Sequence, residues 1–297
     1  MPISKNENIK WLISIGIILS VTFYTYTVEA LTDRGYSAPN IMILRGAVAL
    51  LFGITYSLIK GASLFPKKWK PQIVRFFTNG FASYLSIISF IYLSASTVAL
   101  VNRLDIPFII FLSVFTGQRK SNLQFWLSIW TVVIITFLAI DARFIDEEAI
   151  GFVYAIVSVF LISIGYLLVK QSSNNENSIL ICNVFSLSNL IIGIIILYYS
   201  GHNLKFSLTD IWILIIGALS QLFIYTLTVT LYRCFNIEKA RLPFVIAALS
   251  IMLLEMIFEH KYFSISQIGL SLIITGLLVT IILNPQTPTR KKHDTNS

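Results

Sequence analysis

Four residues that could bind a polar ligand lie close together inside one apolar stretch of the sequence, residues 97–117. They are Asn102, Arg103, Asp105 and Pro107, and the stretch is long enough to cross a hydrocarbon layer of about 30 Å. An ionised side chain at the bilayer centre costs roughly 2.5–3.5 kcal/mol, so such residues normally face other helices or a water-filled cavity. Pro107 lacks an N–H and clashes with the carbonyl of Arg103, which predicts a kink beside the charges. This combination is typical of a ligand site near the membrane midplane.

The spacing within this group indicates how the charges are directed. Asn102 and Asp105 are three residues apart and share a helix face, whereas Arg103 and Asp105 point in different directions. We therefore expect Arg103 to face another helix or a ligand rather than to neutralise Asp105. Both interpretations of Arg103 and Asp105 stay open at this point: they line a transport pathway, or they form structural pairs between helices.

Five more residues within apolar stretches are candidates for a function or for an ion pair. Arg45 is either a substrate or gate contact or an arginine that reaches the headgroups, and Glu29 is its candidate ion-pair partner. Glu255 is a carboxylate deep in an apolar stretch, where it could couple transport to protons or simply be hydrogen-bonded between helices. Tyr24 and Tyr84 could contact a ligand, with ordinary packing as the alternative.

The composition identifies the bilayer as the solvent for most of the chain. Of 297 residues, 56% are hydrophobic and 12% are charged, and the mean hydropathy is +0.79. The formal net charge of +8 could indicate nucleic-acid binding, but the basic residues lie in short loops between apolar runs. In that position they set membrane orientation, and we expect no nucleic-acid partner.

Ten apolar stretches are predicted to be membrane-spanning helices. They are residues 11–30, 39–59, 71–93, 96–116, 123–140, 149–170, 179–200, 209–233, 240–258 and 266–283. With the N terminus inside, the inner loops and helix ends hold sixteen lysines and arginines, whereas the outer loops hold four, namely Arg34, Arg143, Lys205 and Lys261. This asymmetry predicts that both termini are cytoplasmic.

A weak internal repeat divides the chain into two halves. Residues 97–140 and 240–283 share the order of an apolar span with polar groups, a polar loop and a second apolar span opened by glutamine. In the second block Arg241 and Pro243 lie near the start of the span, and Arg241 is interpreted as an interface residue. Each block ends a run of five spans, and an odd number of spans forces the halves into opposite orientations. The fold predicted is therefore an all-α membrane protein with ten transmembrane helices in two five-helix inverted repeats, residues 1–145 and 146–297.

Three segments carry a resemblance to a known family. They are Ala38–Ala47 with its proline and later arginine, Ser96–Pro107 with small and polar residues before a proline, and Glu259–Gly276 with a glutamate followed by a glycine-bearing span. In these patterns, and in span count, the chain resembles the EamA-like branch of the drug/metabolite transporter superfamily. The resemblance implies a ten-helix carrier built from two five-helix inverted repeats.

The chain also departs from the pattern of that family. Val21–Tyr24 stands where a Trp-Gly pair is common, and Gln118 replaces the glutamate of the first half. No proline of the second half matches Pro107, because Ala248 or Ser250 falls there. Since the family exports amino acids, other metabolites and drugs and also takes up nucleotide-like compounds, the resemblance leaves the substrate open.

The function expected is that of a secondary transporter in the bacterial inner membrane. It would export or exchange a small polar metabolite by alternating access, with Glu255 as the proton site and without a cofactor. Arg45 and Arg103 as cations against Glu29, Asp105 and Glu255 as anions make a nearly neutral site, which favours a zwitterion such as an amino acid.

Two other classes of function remain as alternatives. One is an intramembrane enzyme acting on a lipid, and the other is a non-transporting scaffold or sensor. The sequence has no Ser-His-Asp order, no glycine-rich phosphate loop and no metal-ligand spacing, so we expect that the chain is not an enzyme. The partners expected are a small-molecule substrate and membrane lipid.

Overall fold

The fold was examined in a computed structural model, which is all-helical in the part of the chain that it describes. The described residues are 7–117, 122, 123, 125–127, 129–131, 146–201, 203–237, 239–258, 272 and 275–280. Within them, eight helical segments are long and apolar enough to cross a membrane. These features are those of a multi-pass membrane protein.

The helices follow one another with short connections. Their bounds are α1 (Glu7–Asp33), α2 (Ala38–Ile59), α3 (Trp69–Tyr92), α4 (Ala95–Val101), α5 (Asp105–Phe115), α6 (Asp146–Ser172), α7 (Ser178–Ser200), α8 (Ile211–Cys234) and α9 (Leu242–Phe258). Three-residue 3₁₀ turns precede α5, α8 and α9 at Asn102–Leu104, Leu208–Asp210 and Lys239–Arg241. The eight long segments coincide with eight of the predicted spans. The fifth and tenth predicted spans, 123–140 and 266–283, lie mostly outside the described residues, as do Gln118 and Glu259.

Local chemistry explains several helix ends. The Ser94 hydroxyl accepts a hydrogen bond from the Thr97 N–H at the start of α4, and the Asn177 side chain accepts from the Ile179 N–H at the start of α7. Such caps bind N–H groups that the first turn of a helix leaves without partners. At the other end of α7, Gly201 adopts a φ of 66°, a left-handed conformation that glycine tolerates best.

The main helix pairs join the two halves of the chain. α3 packs along α6, α2 along α7 and α1 along α8, with further contacts between α1 and α9, α3 and α7, and α2 and α8. Small residues allow the close approach: a Cβ atom at Gly46 on α2 would lie 2.8 Å from both the Leu190 nitrogen and the Ser186 carbonyl oxygen of α7. The buried residues form one large apolar core between these helices.

We expect Gly46→Ala to destabilise the protein by about 1–3 kcal/mol, because the new methyl group would meet backbone of α7 that cannot rotate away. The measurement is the free energy of unfolding of the purified protein in detergent. Gly276→Ala is the matched control, since Gly276 is exposed and no atom of the described residues lies within 4 Å of the Cβ position there. Equal stability of the two variants would show that α2 and α7 do not approach as closely as described.

A polar cluster ties the connection between α1 and α2 to the start of α8. Asp210 accepts hydrogen bonds from the Arg34 guanidinium and from the Tyr36 hydroxyl, the latter at 2.8 Å. Burial of the phenol and its hydrogen bond to the Asp210 carboxylate raise the pKa of Tyr36 above its ordinary value. These bonds fix one end of the molecule.

Arg75 is one of the sixteen basic residues that the sequence analysis places in inner loops and helix ends. The structure instead buries it inside the helix bundle. Its side chain is fully buried on α3, where Nη1 donates to the Gln72 side chain and Nη2 donates to the Ile181 carbonyl of α7 at 2.9 Å. The reason is that α3 begins at Trp69, so position 75 is already inside the bundle. Arg75 therefore holds α3 against α7.

Candidate functional site

The helix that contains Arg103 and Asp105 changes from α-helical to 3₁₀ geometry just before Asp105, and we refer to this turn, Asn102–Leu104, as the helix break. α4 ends at Val101, a 3₁₀ turn covers Asn102–Leu104, and α5 begins at Asp105. Pro107 lies in the first turn of α5. A proline is tolerated in a first turn because most N–H groups there have no partner within the helix. Asp105 is at the centre of the 21-residue segment Ala95–Phe115, so the break lies midway along a span.

A buried ion pair crosses from this break to the start of α9. Arg241 donates from Nη2 to Asp105 Oδ2, and each side chain is only 1% exposed. The pairing agrees with the expectation that Arg103 would not neutralise Asp105. Arg103 instead donates from Nε to the Ala99 carbonyl oxygen in the preceding turn, at 3.2 Å.

Aromatic rings hold the two guanidinium groups. The Arg241 Cζ atom lies 3.9 Å from the centre of the Tyr166 ring and 3.8 Å from that of Phe244, so this guanidinium is in contact with both rings. Arg103 Cζ lies 5.4 Å from the Phe244 ring. Contacts of cations with aromatic faces are strengthened where water is excluded. The rings therefore help to retain two positive charges beside a single carboxylate.

A cavity of about 100 Å³ adjoins this cluster. Its wall is formed by residues of α1, α3, α6, α7, α8 and α9 together with the helix break. The polar lining residues are Tyr24, Thr25, Ser83, Ser86, Asn102, Arg103, Asp105, Ser158, Tyr166, Tyr225 and Arg241. The cavity thus combines hydroxyl groups with two cations and one anion.

Several hydrogen-bond donors and acceptors of this charged cluster are unsatisfied among the described residues. Within the described part of the chain, Arg103 Nη1, Asp105 Oδ1 and Arg241 Nε and Nη1 find no hydrogen-bond partner. Buried charged groups are costly when their hydrogen bonds are unmade. A ligand with both an acceptor and a donor could satisfy Arg103 and Asp105 at the same time.

The cavity contains only part of the predicted site. Tyr24, Asn102, Arg103 and Asp105 line it, whereas Arg45, Tyr84, Pro107 and Glu255 are not among its described lining residues. Tyr84 is partly buried and packs against the apolar core. Arg45 is buried behind Tyr24, with its Cζ atom 4.0 Å from the centre of that ring. Tyr24 therefore separates Arg45 from the cavity.

Glu29 and Glu255 meet at the start of α4. Glu29 Oε1 accepts from the Ala95 N–H at 3.3 Å, and Glu255 Oε1 accepts from the Ser96 N–H at 3.1 Å. Carboxylates are favoured at the N-terminus of a helix, where N–H groups lack helical partners. Two carboxyl groups from distant parts of the sequence are thus held on adjacent backbone N–H groups.

Sequence reasoning assigned Arg241 to a helix interface, and the structure brings it into the cavity as well. Arg45, Glu29 and Glu255 are not among the described lining residues, so the charged groups of the described lining are two guanidinium groups, Arg103 and Arg241, and the Asp105 carboxylate. A signal for Arg241 exists in the sequence, since it precedes Pro243 by two residues as Asp105 precedes Pro107. Tyr166 and Tyr225 carry no such signal.

The comparisons with known proteins reveal the fold alone. No protein-family model and no curated protein matches the chain. Among solved structures, 21 chains are similar. One of them, described only as the crystal structure of a protein, has a TM-score of 0.66 at 14% identity and covers 91% of this chain and 95% of its own length. Over the described residues, no group of three or more histidine, cysteine, aspartate or glutamate side chains is arranged to hold a metal ion.

Proposed function

We propose that the protein is a secondary transporter of a small polar metabolite such as an amino acid. The observation that carries this proposal is the cavity at a broken membrane helix, where Arg103 Nη1 and Asp105 Oδ1 have no hydrogen-bond partner among the described residues. Irregular backbone and buried charge within a span are costly, and both are typical of substrate sites in transporters.

Arg103 Nη1 and Asp105 Oδ1, which have no hydrogen-bond partner among the described residues, define the ligand chemistry of this proposal. A carboxylate of the ligand would accept from Arg103 Nη1, and an ammonium group would donate to Asp105 Oδ1. Two guanidinium groups against one carboxylate leave the lining positive, so the carboxylate matters more for binding than the amine. Since a cavity of about 150 Å³ holds benzene, which has six non-hydrogen atoms, a cavity of about 100 Å³ suits a ligand of about four or five. Glycine is of this size, and alanine is one carbon atom larger.

The helix pairs that are in contact stay the same set when the two halves of the chain are interchanged, and this supports an inverted repeat of the EamA type. If α6, α7 and α8 correspond to α1, α2 and α3, the pairing of α1 with α8 becomes that of α6 with α3, and the pairing of α2 with α7 is unchanged. Likewise, the contact of α1 with α9 corresponds to that of α6 with α4 and α5. Two halves related in this way would provide alternating access around a central site.

The coupling of transport to protons is assigned in this proposal to Glu255. Its carboxyl group and that of Glu29 bind adjacent N–H groups of α4, the helix that leads to the break at Asn102. A change of charge at this point would act on the same broken helix that borders the cavity.

The test is transport of labelled alanine and glycine into proteoliposomes. We expect uptake of the amino acids and no competition by ethylamine, which lacks the carboxylate. Arg103→Gln should lower the rate by about 10–100-fold, because a hydrogen bond to a charged group contributes about 1.5–3 kcal/mol.

Arg34→Gln is the matched control, since Arg34 is a partly exposed arginine at the end of the molecule and is not among the described residues that line the cavity. It should transport normally. Competition by ethylamine as strong as that by alanine, or full activity of Arg103→Gln, would contradict the ligand chemistry. Absence of flux for amino acids and all other small metabolites would favour a scaffold or a lipid-modifying enzyme.

A further inference from the structure

A second and larger cavity lies at the edge of the helix bundle. It measures about 360 Å³ and lies between the start of α1, the end of α8 and the start of α9. We refer to it as the lateral groove. Its floor includes Leu231, which is 1% exposed, while Trp11 at its rim is 67% exposed. The groove is therefore enclosed by protein on one side and open towards the surface that faces lipid.

The position of the groove along the membrane normal follows from helix ends. α1 begins at Glu7, α8 ends at Cys234 and α9 begins at Leu242, so the mouth of the groove lies at the same end of the bundle for all three. Trp11 and Phe235 lie near this end, and aromatic side chains are enriched at the level of lipid headgroups. From Lys239 to Ile246 the lining extends about 10 Å into the bundle, at about 1.5 Å per residue.

The groove has charge at its mouth and apolar residues inside. Lys10 and Lys239 line the mouth, and Glu7 is the one acidic side chain among the described lining residues. The Lys10 Nζ atom lies 5.0 Å from the centre of the Phe235 ring, which holds the amine over the opening. Neither lysine forms an ion pair with a residue that the structure describes. Deeper in the groove the lining is largely apolar, with Leu242, Pro243 and Ile246.

We propose that the lateral groove binds an anionic phospholipid. The phosphate and the charged headgroup lie between Lys10 and Lys239, and the first part of an acyl chain lies against Leu242 and Ile246. Basic pockets between membrane helices at the headgroup level are suited to this chemistry. Among the described lining residues, two lysines stand against one glutamate, Glu7, and this positive excess matches a lipid anion and not a zwitterionic lipid. A lipid bound in this way links α1 to α9.

The link to α9 gives the lipid a structural effect. Lys239 is in the 3₁₀ turn that ends at Arg241, and Arg241 binds Asp105 beside the central cavity. Occupation of the groove therefore holds the segment that carries Arg241 against α1. We expect anionic lipid to raise the thermal stability of the whole protein, with no dependence on any transported substrate.

The experiment compares the purified protein in nanodiscs of phosphatidylcholine with and without phosphatidylglycerol. Native mass spectrometry and thermal unfolding should show about tenfold preferential retention of phosphatidylglycerol and a higher Tm, since each lysine near the surface attracts anionic lipid. In the double variant Lys10→Gln/Lys239→Gln, both the preference and the Tm increase should be lost. Lys60→Gln/Lys70→Gln is the matched control, because both are exposed lysines at the same end of the bundle.

A second variant tests the groove without altering charge. Ile246→Trp should fill part of the space beside the acyl chain and lower lipid retention while the headgroup lysines remain. Equal retention of the two lipids by the wild type, or loss of preference in the Lys60/Lys70 control, would overturn the proposal. So would an equal Tm increase from inorganic phosphate in phosphatidylcholine nanodiscs, since it would show a site for a soluble anion.

Discussion

Asp105→Ala should abolish transport and lower the free energy of unfolding by about 3–5 kcal/mol. The substitution leaves Arg103 and Arg241 buried beside each other without the carboxylate between them, and removing one partner of a buried ion pair typically costs this amount. The measurements are proteoliposome flux and chemical unfolding in detergent. Asp210→Ala is the control, because it also removes the carboxylate of an ion pair. The arginine of that pair, Arg34, has a side chain that is 45% exposed. It should lose much less stability.

The double variant Asp105→Leu/Arg241→Met separates stability from transport. Replacing a buried ion pair by apolar side chains of similar size is often neutral, so the double variant should recover most of the stability that Asp105→Ala loses. Transport should stay absent, because the ligand ammonium would lack its acceptor. A double variant that transports alanine at the wild-type rate would remove the ion pair from the mechanism.

Glu255→Gln should remove the dependence of transport on a proton gradient while leaving substrate exchange intact. Glutamine keeps an oxygen that accepts from the Ser96 N–H, so the start of α4 is preserved, but the side chain can no longer bind and release a proton. The measurement is alanine uptake with and without an imposed pH gradient, together with alanine counterflow. Asp33→Asn is the control, as Asp33 is an exposed carboxylate at the end of α1.

Stimulation of Glu255→Gln by the gradient to the wild-type extent would assign proton coupling to another group. Loss of both uptake and counterflow, with the protein still folded, would indicate that Glu255 is needed for the conformational change itself. Uptake under a pH gradient reports proton coupling, whereas counterflow reports the conformational change, so the two assays distinguish these roles.

The positions of the helices are predictable from sequence because the bilayer requires long apolar stretches. The described spans accordingly agree with the predicted ones to within a few residues. The break near Asn102 is also local, since it arises where charges and Pro107 interrupt an apolar run. The helix positions and the helix break depend on residues that are neighbours in the sequence, so each can be predicted from a single segment.

The partners of the buried charges depend on packing and are not visible in one segment. Asp105 and Arg241 are 136 positions apart, and Glu255 and Ser96 are 159 positions apart. Arg45 of α2 lies against the ring of Tyr24 on α1 and close to Gly217 of α8, and span prediction does not contain these contacts between helices. The charged composition of the cavity could therefore be established only after the helices were assembled.

The hydrogen bond from Arg75 to the Ile181 carbonyl has a consequence for biosynthesis. The two residues are 106 positions apart, and at about 5–20 residues per second the ribosome needs about 5–20 s to make the intervening chain. During that interval α3 carries a guanidinium group whose acceptor on α7 does not yet exist, and an isolated arginine is unfavourable in hydrocarbon. Nascent α3 must therefore wait beside the insertion machinery, near water or with Arg75 extended to the headgroups, until α7 has been synthesised.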